Sequence, residues 1–166
     1  MTVTDTDAPP AEGTAPAALA PPAPATGLAA VLGTGDHKTI GRLWIATSLL
    51  FAVATSVLGA LVRFELIDTA DLTLFNDTGD LSQAFGLHQV AWPFLVVLPL
   101  LLALATVMVP LQVGARAIAF PRATAAAFWT HLLAGVLIIA SVIMDGGPFG
   151  SDRDGVGLFL AALLAV

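Results

Sequence analysis

The chain alternates long uncharged stretches with short polar segments. Residues 43–62 are 20 uncharged and mostly apolar residues, and no charge occurs between Asp80 and Arg116. A third uncharged stretch covers residues 123–144. At 1.5 Å per residue, about 20 helical residues match a hydrocarbon core of about 30 Å. The pattern therefore predicts three membrane-spanning helices at about 43–62, 84–110 and 123–144, the second bent by Pro93 and Pro99.

A fourth apolar stretch, residues 155–166, has 12 residues and falls short of the roughly 20 needed to cross a bilayer. We expect it to be an incomplete span at the end of a membrane region, residues 35–166. Residues 1–34 are rich in Ala, Pro, Thr and Gly and show no helical periodicity, which is typical of disorder. The predicted fold class is an all-α integral membrane protein with three transmembrane helices, a truncated fourth and a disordered amino-terminal tail.

The composition agrees with a membrane location. Hydrophobic residues make up 57% of the chain and charged residues 11%, and the mean hydropathy is +0.91, all far from soluble averages. The formal net charge of −6 comes from acids clustered in the tail and in two loops, so nucleic acid is not an expected partner. The lack of cysteine excludes disulfides, thiolate metal sites and cysteine nucleophiles.

The basic residues indicate how the spans are oriented. Two groups lie on opposite sides of the predicted membrane: Lys38, Arg42, Arg116 and Arg122 on one side, Arg63 and Arg153 on the other. Eight of the twelve acidic residues accompany the second group. Because cytoplasmic loops carry the excess of Lys and Arg, the amino terminus is predicted to be cytoplasmic. No basic residue precedes Lys38, so we expect the first span to be retained rather than cleaved as a signal peptide.

His88 is the first candidate for chemistry. It lies a few residues inside the outer end of the second predicted span, about 6–10 Å below that surface. Ionisable residues inside membrane helices usually face a bundle interior, where they mark a pathway, a proton relay or a ligand. Neutral imidazole is also a common axial ligand of haem iron. The alternative is an imidazole that is hydrogen-bonded to a neighbouring helix or lies at the interface.

Arg63 ends the first span on the same outer side, and it shares a membrane depth with His88 if the two helices pack as antiparallel neighbours. A guanidinium beside a haem can hydrogen-bond a polar substituent and bias the redox potential. The alternative is a side chain that extends to the lipid headgroups.

His131 lies about eight residues into the third predicted span, roughly 12 Å deep. It is either a packing or interhelical hydrogen-bonding residue or a second axial ligand opposite His88. Three tryptophans fall mostly near span ends, as an aromatic belt places them, and are assigned no chemistry: Trp44, Trp92 and Trp129. His37 precedes the first span and is expected to be solvated or locally hydrogen-bonded.

Five motifs then occur in a recognisable order. They are Asp36-His37-Lys38-Thr39-Ile40-Gly41-Arg42-Leu43-Trp44, Arg63-Phe64-Glu65-Leu66, His88, Val109-Pro110-Leu111-Gln112-Val113-Gly114-Ala115, and Ala119-Phe120-Pro121-Arg122 followed by Phe128-Trp129. Each motif is short, but their combination and topology are specific. Together they resemble the amino-terminal quarter of haem-copper oxidase subunit I, the catalytic subunit of cytochrome c oxidase. The match covers about residues 35–130.

The resemblance implies roles for three residues. In that family the histidine of the second helix is one of two axial ligands of a low-spin haem, and its match is His88. The arginine that ends the first helix contacts a peripheral group of the same haem, and its match is Arg63. The acid two residues later contributes to a cation site near the outer surface, which makes Glu65 a candidate.

The resemblance also implies a setting. The expected cofactor of this region is the low-spin haem, while copper and a second haem belong to later helices that these 166 residues lack. The implied function is electron transfer to oxygen in aerobic respiration, with no oxygen chemistry in this chain alone. The expected partners are the remaining helices of subunit I, other oxidase subunits, the lipid bilayer, and cytochrome c or another electron donor. The expected location is a bacterial-type cell (inner) membrane, as a multi-pass protein.

The chain also departs from the family pattern. Family members usually have a small residue after the helix-two histidine, whereas Gln89 follows His88. Many members have an aspartate that opens a proton-uptake channel in the cytoplasmic loop, and Ala117 stands in its place. The asparagine usual before the Pro-Leu-Gln motif is absent, with Thr106 and Val107 in that neighbourhood. The haem environment and that proton route are therefore expected to differ.

Two rival functions remain open from the sequence. One is a self-contained b-type cytochrome in which His88 and His131 ligate one haem, although their estimated depths differ by several Å. The other is a paralogue without cofactor that acts in assembly or as a structural subunit.

Overall fold

The computed structural model describes residues 26–67 and 74–166, which are helices joined by short connections and contain no strand. The helices of the described residues are α1 (Leu28–Leu32), α2 (His37–Glu65), α3 (Thr78–Ala91), a π-helical segment (Trp92–Val97), α4 (Leu98–Gln112), α5 (Pro121–Ile143) and α6 (Arg153–Ala165). The predicted tail, residues 1–34, falls mostly outside this range. Its described end carries α1, which the sequence pattern does not predict.

Three helical stretches are long and apolar enough to cross a membrane: α2, the continuous stretch Thr78–Gln112, and α5. The predicted all-α membrane fold with three spans is therefore confirmed. Each span differs from its predicted bounds because helix ends are set by capping groups rather than by the apolar run alone. α2 starts six residues before the predicted 43, at His37, because the Asp36 carboxylate accepts from the Thr39 amide at 3.1 Å.

The same device starts two other helices. Asp77 accepts from the Gly79 amide at 2.7 Å, and Asp152 accepts from the Gly155 amide at 2.6 Å. The pKa of the Asp36 carboxyl is held below its usual value, mainly by the hydrogen bond that it accepts from the Thr39 hydroxyl. Acidic caps of this kind suit the positive end of a helix dipole.

The second span contains a π-helical turn where the sequence predicts a bend. Pro93 and Pro99 have no amide proton, so the usual hydrogen-bond ladder is interrupted at both positions. The Leu98 amide donates to the Pro93 carbonyl, five residues back instead of four. The resulting segment packs on α2 and joins α3 to α4 with one wider turn.

α2 is the central helix, with α3, the π-helical segment, α4 and α5 packed against it and α6 packed against α5. Three apolar clusters follow one another along its length. Their buried members are Ile40, Trp44, Ala103 and Phe128; then Phe51, Ala91, Leu95, Val96, Ile138, Phe159 and Ala162; then Val62, Leu81 and Ala84. Most of the outward-facing large residues of the spans are apolar, as lipid or further helices require.

The buried stripe of α2 also carries polar residues between the apolar ones. Its polar members are His37, Ser48, Thr55 and Glu65. Close approach of the neighbouring helices is allowed by glycine: a methyl group at Gly41 would collide with Val107 of α4, and one at Gly135 would lie 2.7 Å from the Phe51 ring. α2 is therefore the helix against which every candidate histidine of the spans is positioned.

Candidate functional site

His88 lies on α3 and turns its ring toward α2. Its Nδ1 is 3.0 Å from the Thr55 carbonyl oxygen. Because a carbonyl can only accept, this contact assigns the proton to Nδ1 and leaves the lone pair on Nε2. Metal-bound histidines usually have this arrangement, with one nitrogen donating to a carbonyl or carboxylate and the other on the metal. The ring is half-buried.

Gly59 makes the room for this ring. A methyl group at Gly59 would lie 2.5 Å from His88 Cε1 and 2.9 Å from Nδ1. Contacts that short do not occur between real side chains, so only glycine allows the imidazole to rest against α2 as it does. Gly59 and the Thr55 carbonyl lie one helical turn apart on α2, and both lie against the same ring.

Arg63 lies one turn beyond Gly59, in the last turn of α2. Residues four apart share a helix face, so Arg63 continues the face on which the His88 ring rests. Its side chain is exposed, and among the described residues no ion pair or hydrogen bond engages the guanidinium. Arg63 and His88 thus occupy the same end of the α2–α3 pair, as the sequence predicts, and the arginine is available to a group placed beside the histidine.

Glu65 is 2% exposed at the end of α2. Its two carboxylate oxygens accept from the Leu74 amide at 3.0 and 3.2 Å. The carboxylate therefore ties the end of α2 to the segment that leads into α3. Its implied role in a cation site stays a prediction.

A loop between α5 and α6 covers the amino-terminal end of α3. The Gln83 amide donates to the Gly146 carbonyl and, at 3.4 Å, to Asp145 Oδ1. Phe149 rests on Gly86, where a methyl group would lie 2.8 Å from its ring. Asp145 and Phe149 both adopt positive φ angles, 55° and 67°, which non-glycine residues seldom do. These contacts connect the amino-terminal part of α3, about one turn from His88, to the loop between α5 and α6.

His131 lies elsewhere. Its ring centroid is 4.9 Å from that of Trp44 and 6.5 Å from that of Phe51, and the residue is 1% exposed. His88 instead contacts Thr55 and Gly59. The two imidazoles thus lie against different stretches of α2, and the enclosed nitrogens of His131 leave no space for a haem between them. The arrangement disfavours the bis-histidine cytochrome.

The structure also defines the surroundings of Ala117, which stands where the resemblance expects the proton-uptake aspartate. Ala117 is exposed and lines a cavity between the end of α4 and the start of α5, together with Thr106, Val113 and Thr124. No ionisable residue is among the lining residues of this cavity. Ala117 thus lies beside a cavity with an uncharged lining, with the exposed Arg116 next to it in the chain.

Sequence reasoning missed Thr55, Gly59 and Gln83. Thr55 acts through its main-chain carbonyl, which no side-chain pattern reveals. Gly59 could have been noticed in the sequence, because it is the only glycine within the uncharged run 43–62. Gln83 contacts a loop more than sixty residues away, so no local pattern reports it.

Comparisons with known proteins agree on one family. The family model described as cytochrome c and quinol oxidase polypeptide I matches residues 39–162. A Streptomyces coelicolor protein provisionally named cytochrome c oxidase subunit 1-beta is 37% identical over 114 residues, 69% of this chain and 20% of that protein. The heme-copper oxidase subunit I+III of Aeropyrum pernix is 36% identical over 142 residues, 78% of this chain and 17% of that protein.

A third relative, the cytochrome c oxidase subunit 1 of Alkalihalophilus pseudofirmus, is 33% identical over 117 residues, 70% of this chain and 18% of that protein. The chain thus spans about a fifth of the length of the curated relatives it matches.

The first prediction concerns Gly59. In the Gly59→Ala variant the new methyl group displaces the His88 ring and weakens its bond to the Thr55 carbonyl, a contribution of about 0.5–1.5 kcal/mol. We expect the 15N spectrum of labelled histidine, recorded in lipid bilayers, to show a smaller population protonated at Nδ1. Gly157→Ala is the matched control, since a methyl group at Gly157 meets nothing within 4 Å. An unchanged His88 spectrum in Gly59→Ala would contradict the role given to Gly59.

Proposed function

Since the chain belongs to the family of cytochrome c and quinol oxidase polypeptide I, we propose that it forms the amino-terminal membrane region of a respiratory oxidase subunit I. Within that subunit, His88 is an axial ligand of a low-spin haem and Arg63 contacts the edge of the same haem. The region thereby takes part in electron transfer toward oxygen.

The observation that carries this proposal is the hydrogen bond from His88 Nδ1 to the Thr55 carbonyl at 3.0 Å. The bond fixes the ring and leaves the Nε2 lone pair for a metal, which is the donor state that haem iron needs. Among the described residues the ring's hydrogen bond is the one from Nδ1, so Nε2 is open to a ligand. The residues present therefore fit the group that the family implies.

Each residue has a distinct task in this proposal. His88 binds the iron through Nε2, and a bound haem supplies one-electron redox chemistry. The Thr55 carbonyl orients the imidazole by accepting the hydrogen bond from Nδ1. Gly59 keeps α2 close enough for that bond.

Arg63 acts by charge. A guanidinium that hydrogen-bonds an anionic substituent at the haem edge places a fixed positive charge near the iron. Positive charge favours the reduced form, which has one more electron, so the arginine raises the haem potential. The exposed, unpaired state of Arg63 among the described residues supports this role.

The proposal does not place the oxygen-reducing centre in this chain. The chain spans about a fifth of its relatives, and the second axial ligand, copper and the second haem are assigned to the rest of the subunit. The electron donor is cytochrome c or a quinol, the two classes that the family description names. The partners are the remaining subunit I helices and other oxidase subunits.

The membrane orientation follows from charge. The connection between α4 and α5 carries Arg116, and Arg122 lies in the first turn of α5, while the loop between α5 and α6 carries Asp145 and Asp152. The positive-inside tendency supports a cytoplasmic position for the α4–α5 connection and for the start of α2. His88 and Arg63 then lie toward the outer side of the cell membrane.

The second prediction tests the ligand. In the oxidase that contains this chain, His88→Ala abolishes the low-spin haem absorbance band because no other described side chain replaces the lost nitrogen. His88→Met keeps a ligand and the band but raises the potential, as thioether ligation does. His131→Phe leaves the band intact. A bis-histidine cytochrome would instead lose the band in His131→Phe as well as in His88→Ala. A band that survives His88→Ala would refute the proposal.

The third prediction tests Arg63. Arg63→Gln keeps the low-spin band but lowers the midpoint potential, because the positive charge that favours the reduced haem is gone. The measurement is a spectroscopic redox titration of the assembled oxidase. Arg153→Gln is the matched control, since it removes the other outer arginine at the start of α6. Equal shifts in both variants would show a general surface-charge effect and contradict a specific contact.

The fourth prediction tests the orientation. The chain has no native cysteine, so a single introduced thiol can be labelled alone. Ala117→Cys and Ser151→Cys place it at exposed positions on opposite sides. A membrane-impermeant maleimide should label Ser151→Cys in intact cells and Ala117→Cys only after permeabilisation. The reverse result would overturn the proposed orientation.

A further inference from the structure

A cavity of about 340 Å³ lies where the segment that precedes α2 meets the first turns of α5. Residues 32–34 form one wall, and a single face of α5 forms the other. The volume falls within the range of about 300–1,000 Å³ that is usual for small-molecule sites. Thr55, Gly59 and Arg63 are not among its described lining residues, so the cavity is separate from the surroundings of His88.

The α5 wall has a charged end and an aromatic end. Its members are Arg122, Ala125, Ala126 and Trp129, whose spacing of three, one and three places them on one face of the helix. Seven residues at 1.5 Å each separate Arg122 from Trp129 by about 10 Å along the axis. Because the two residues between them are alanines, a shallow trough leads from the guanidinium to the indole.

Both walls of the cavity are fixed by packing. A methyl group at Gly35 would lie 3.4 Å from Cβ of Pro121, so the segment before α2 rests on the first residue of α5. Trp129 is half-buried, and its ring centroid is 4.9 Å from that of Phe128, which is 1% exposed. The cavity is therefore part of the packed bundle and needs no rearrangement to exist.

The cavity carries a positive charge without a partner. Arg122 is exposed and forms no ion pair among the described residues. Asp36, two residues after the lining, uses its carboxylate to accept from the Lys38 and Thr39 amides. The Thr34 hydroxyl accepts from the Asp36 amide at 3.2 Å and keeps its own proton to donate. A guanidinium and a hydroxyl are thus available to an anion in the cavity.

The depth of the cavity in the membrane suits a lipid. α5 is a span from Pro121 to Ile143, so Arg122 lies in its first turn. About 30 Å of hydrocarbon within a total bilayer thickness of about 40–45 Å leaves roughly 5–8 Å for each headgroup layer. Trp129, about 10 Å further in, therefore lies at the edge of the hydrocarbon. A phosphate beside Arg122 and an acyl chain beside Trp129 are the two parts of one phospholipid.

We propose that this cavity binds an anionic phospholipid of the bilayer. The Arg122 guanidinium and the Thr34 hydroxyl donate to the phosphate, and the upper acyl chain lies over Ala125 and Ala126 and contacts Trp129. On the orientation proposed above, the lipid belongs to the cytoplasmic leaflet, whose anionic headgroups attract basic residues near the surface. The site does not depend on haem binding by His88.

The lining favours a lipid over other occupants. A dissolved anion would use Arg122 and Thr34 but would leave the exposed Leu32 and the apolar part of the α5 wall without a partner. A hydrophobic helix packed against the same wall would bury the guanidinium without an anion, which is costly. A phospholipid satisfies the charged end and the apolar end together.

The test is photolabelling of the assembled oxidase that contains this chain, reconstituted in phosphatidylcholine bilayers with a small fraction of photoactivatable phosphatidylglycerol. The reactive group is in the upper acyl chain, and mass spectrometry identifies the labelled peptides. We expect label on residues 122–129 of α5. Photoactivatable phosphatidylcholine should label that segment roughly fivefold less, the factor that one basic residue contributes at an anionic surface.

Two substitutions test the two ends of the cavity. Arg122→Gln should lower phosphatidylglycerol labelling to the level of phosphatidylcholine. Its control is Arg116→Gln, which removes an exposed arginine outside the described lining and should leave the labelling unchanged. Ala126→Leu fills the trough, keeps Arg122 and should also lower the labelling. Its control is Ala127→Leu, since Ala127 is exposed on the neighbouring face of α5.

Three results would overturn the proposal. Equal labelling by the two lipids would show non-selective lipid contact. A wild-type complex without label on residues 122–129 would show that another part of the complex covers this face. Equal losses in Arg122→Gln and Arg116→Gln would show a general attraction between charges. If a variant fails to assemble, the comparison of the two lipids in the wild-type complex still decides.

Discussion

The hydrocarbon interior of a bilayer offers no water to a polar group, and this constraint governs the packing around α2. The buried face of that helix alternates apolar residues with polar ones, and each polar group has to be satisfied inside the bundle. Thr47 and Ser48 return their hydroxyl protons to carbonyls one turn back, at 2.9 and 2.7 Å. The Thr55 carbonyl accepts from His88, and Glu65 accepts from a main-chain amide. The neighbouring helices are thus held where α2 presents these groups.

The candidate site follows from that arrangement. Its geometry depends on a main-chain carbonyl and on a glycine, neither of which can change rotamer, so the orientation of the His88 ring is fixed by the α2 backbone itself. The loop between α5 and α6 adds a second restraint on α3 through the contacts of Gln83 and Phe149. The ring is thus restrained by α2 and its helix by the loop, which is the rigidity that the proposed ligand role requires.

The sequence predicted the large features and missed those that depend on distance in space. Charge-free runs of about 20 residues gave the three spans because hydrophobic thickness is a simple length requirement. The helices begin two to six residues before the predicted spans because Asp36, Asp77 and the Phe120-Pro121 start act locally. His88 and Arg63 were placed at the same end, but the tautomer of His88 depends on the Thr55 carbonyl. For His131 the sequence offered packing as one reading, but its neighbours Trp44 and Phe51 across the interface were not identified.

The π-helical segment Trp92–Val97 separates the two halves of the second span. In an uninterrupted α-helix successive residues are rotated by about 100°. The number of residues between two positions therefore fixes the angle between the directions they face. A wide turn resets that angle within six residues. The half that carries His88 and the half that carries Ala103 can each keep its own face toward α2. The turn at Trp92–Val97 therefore sets the angle at which both halves of one span meet the same neighbouring helix.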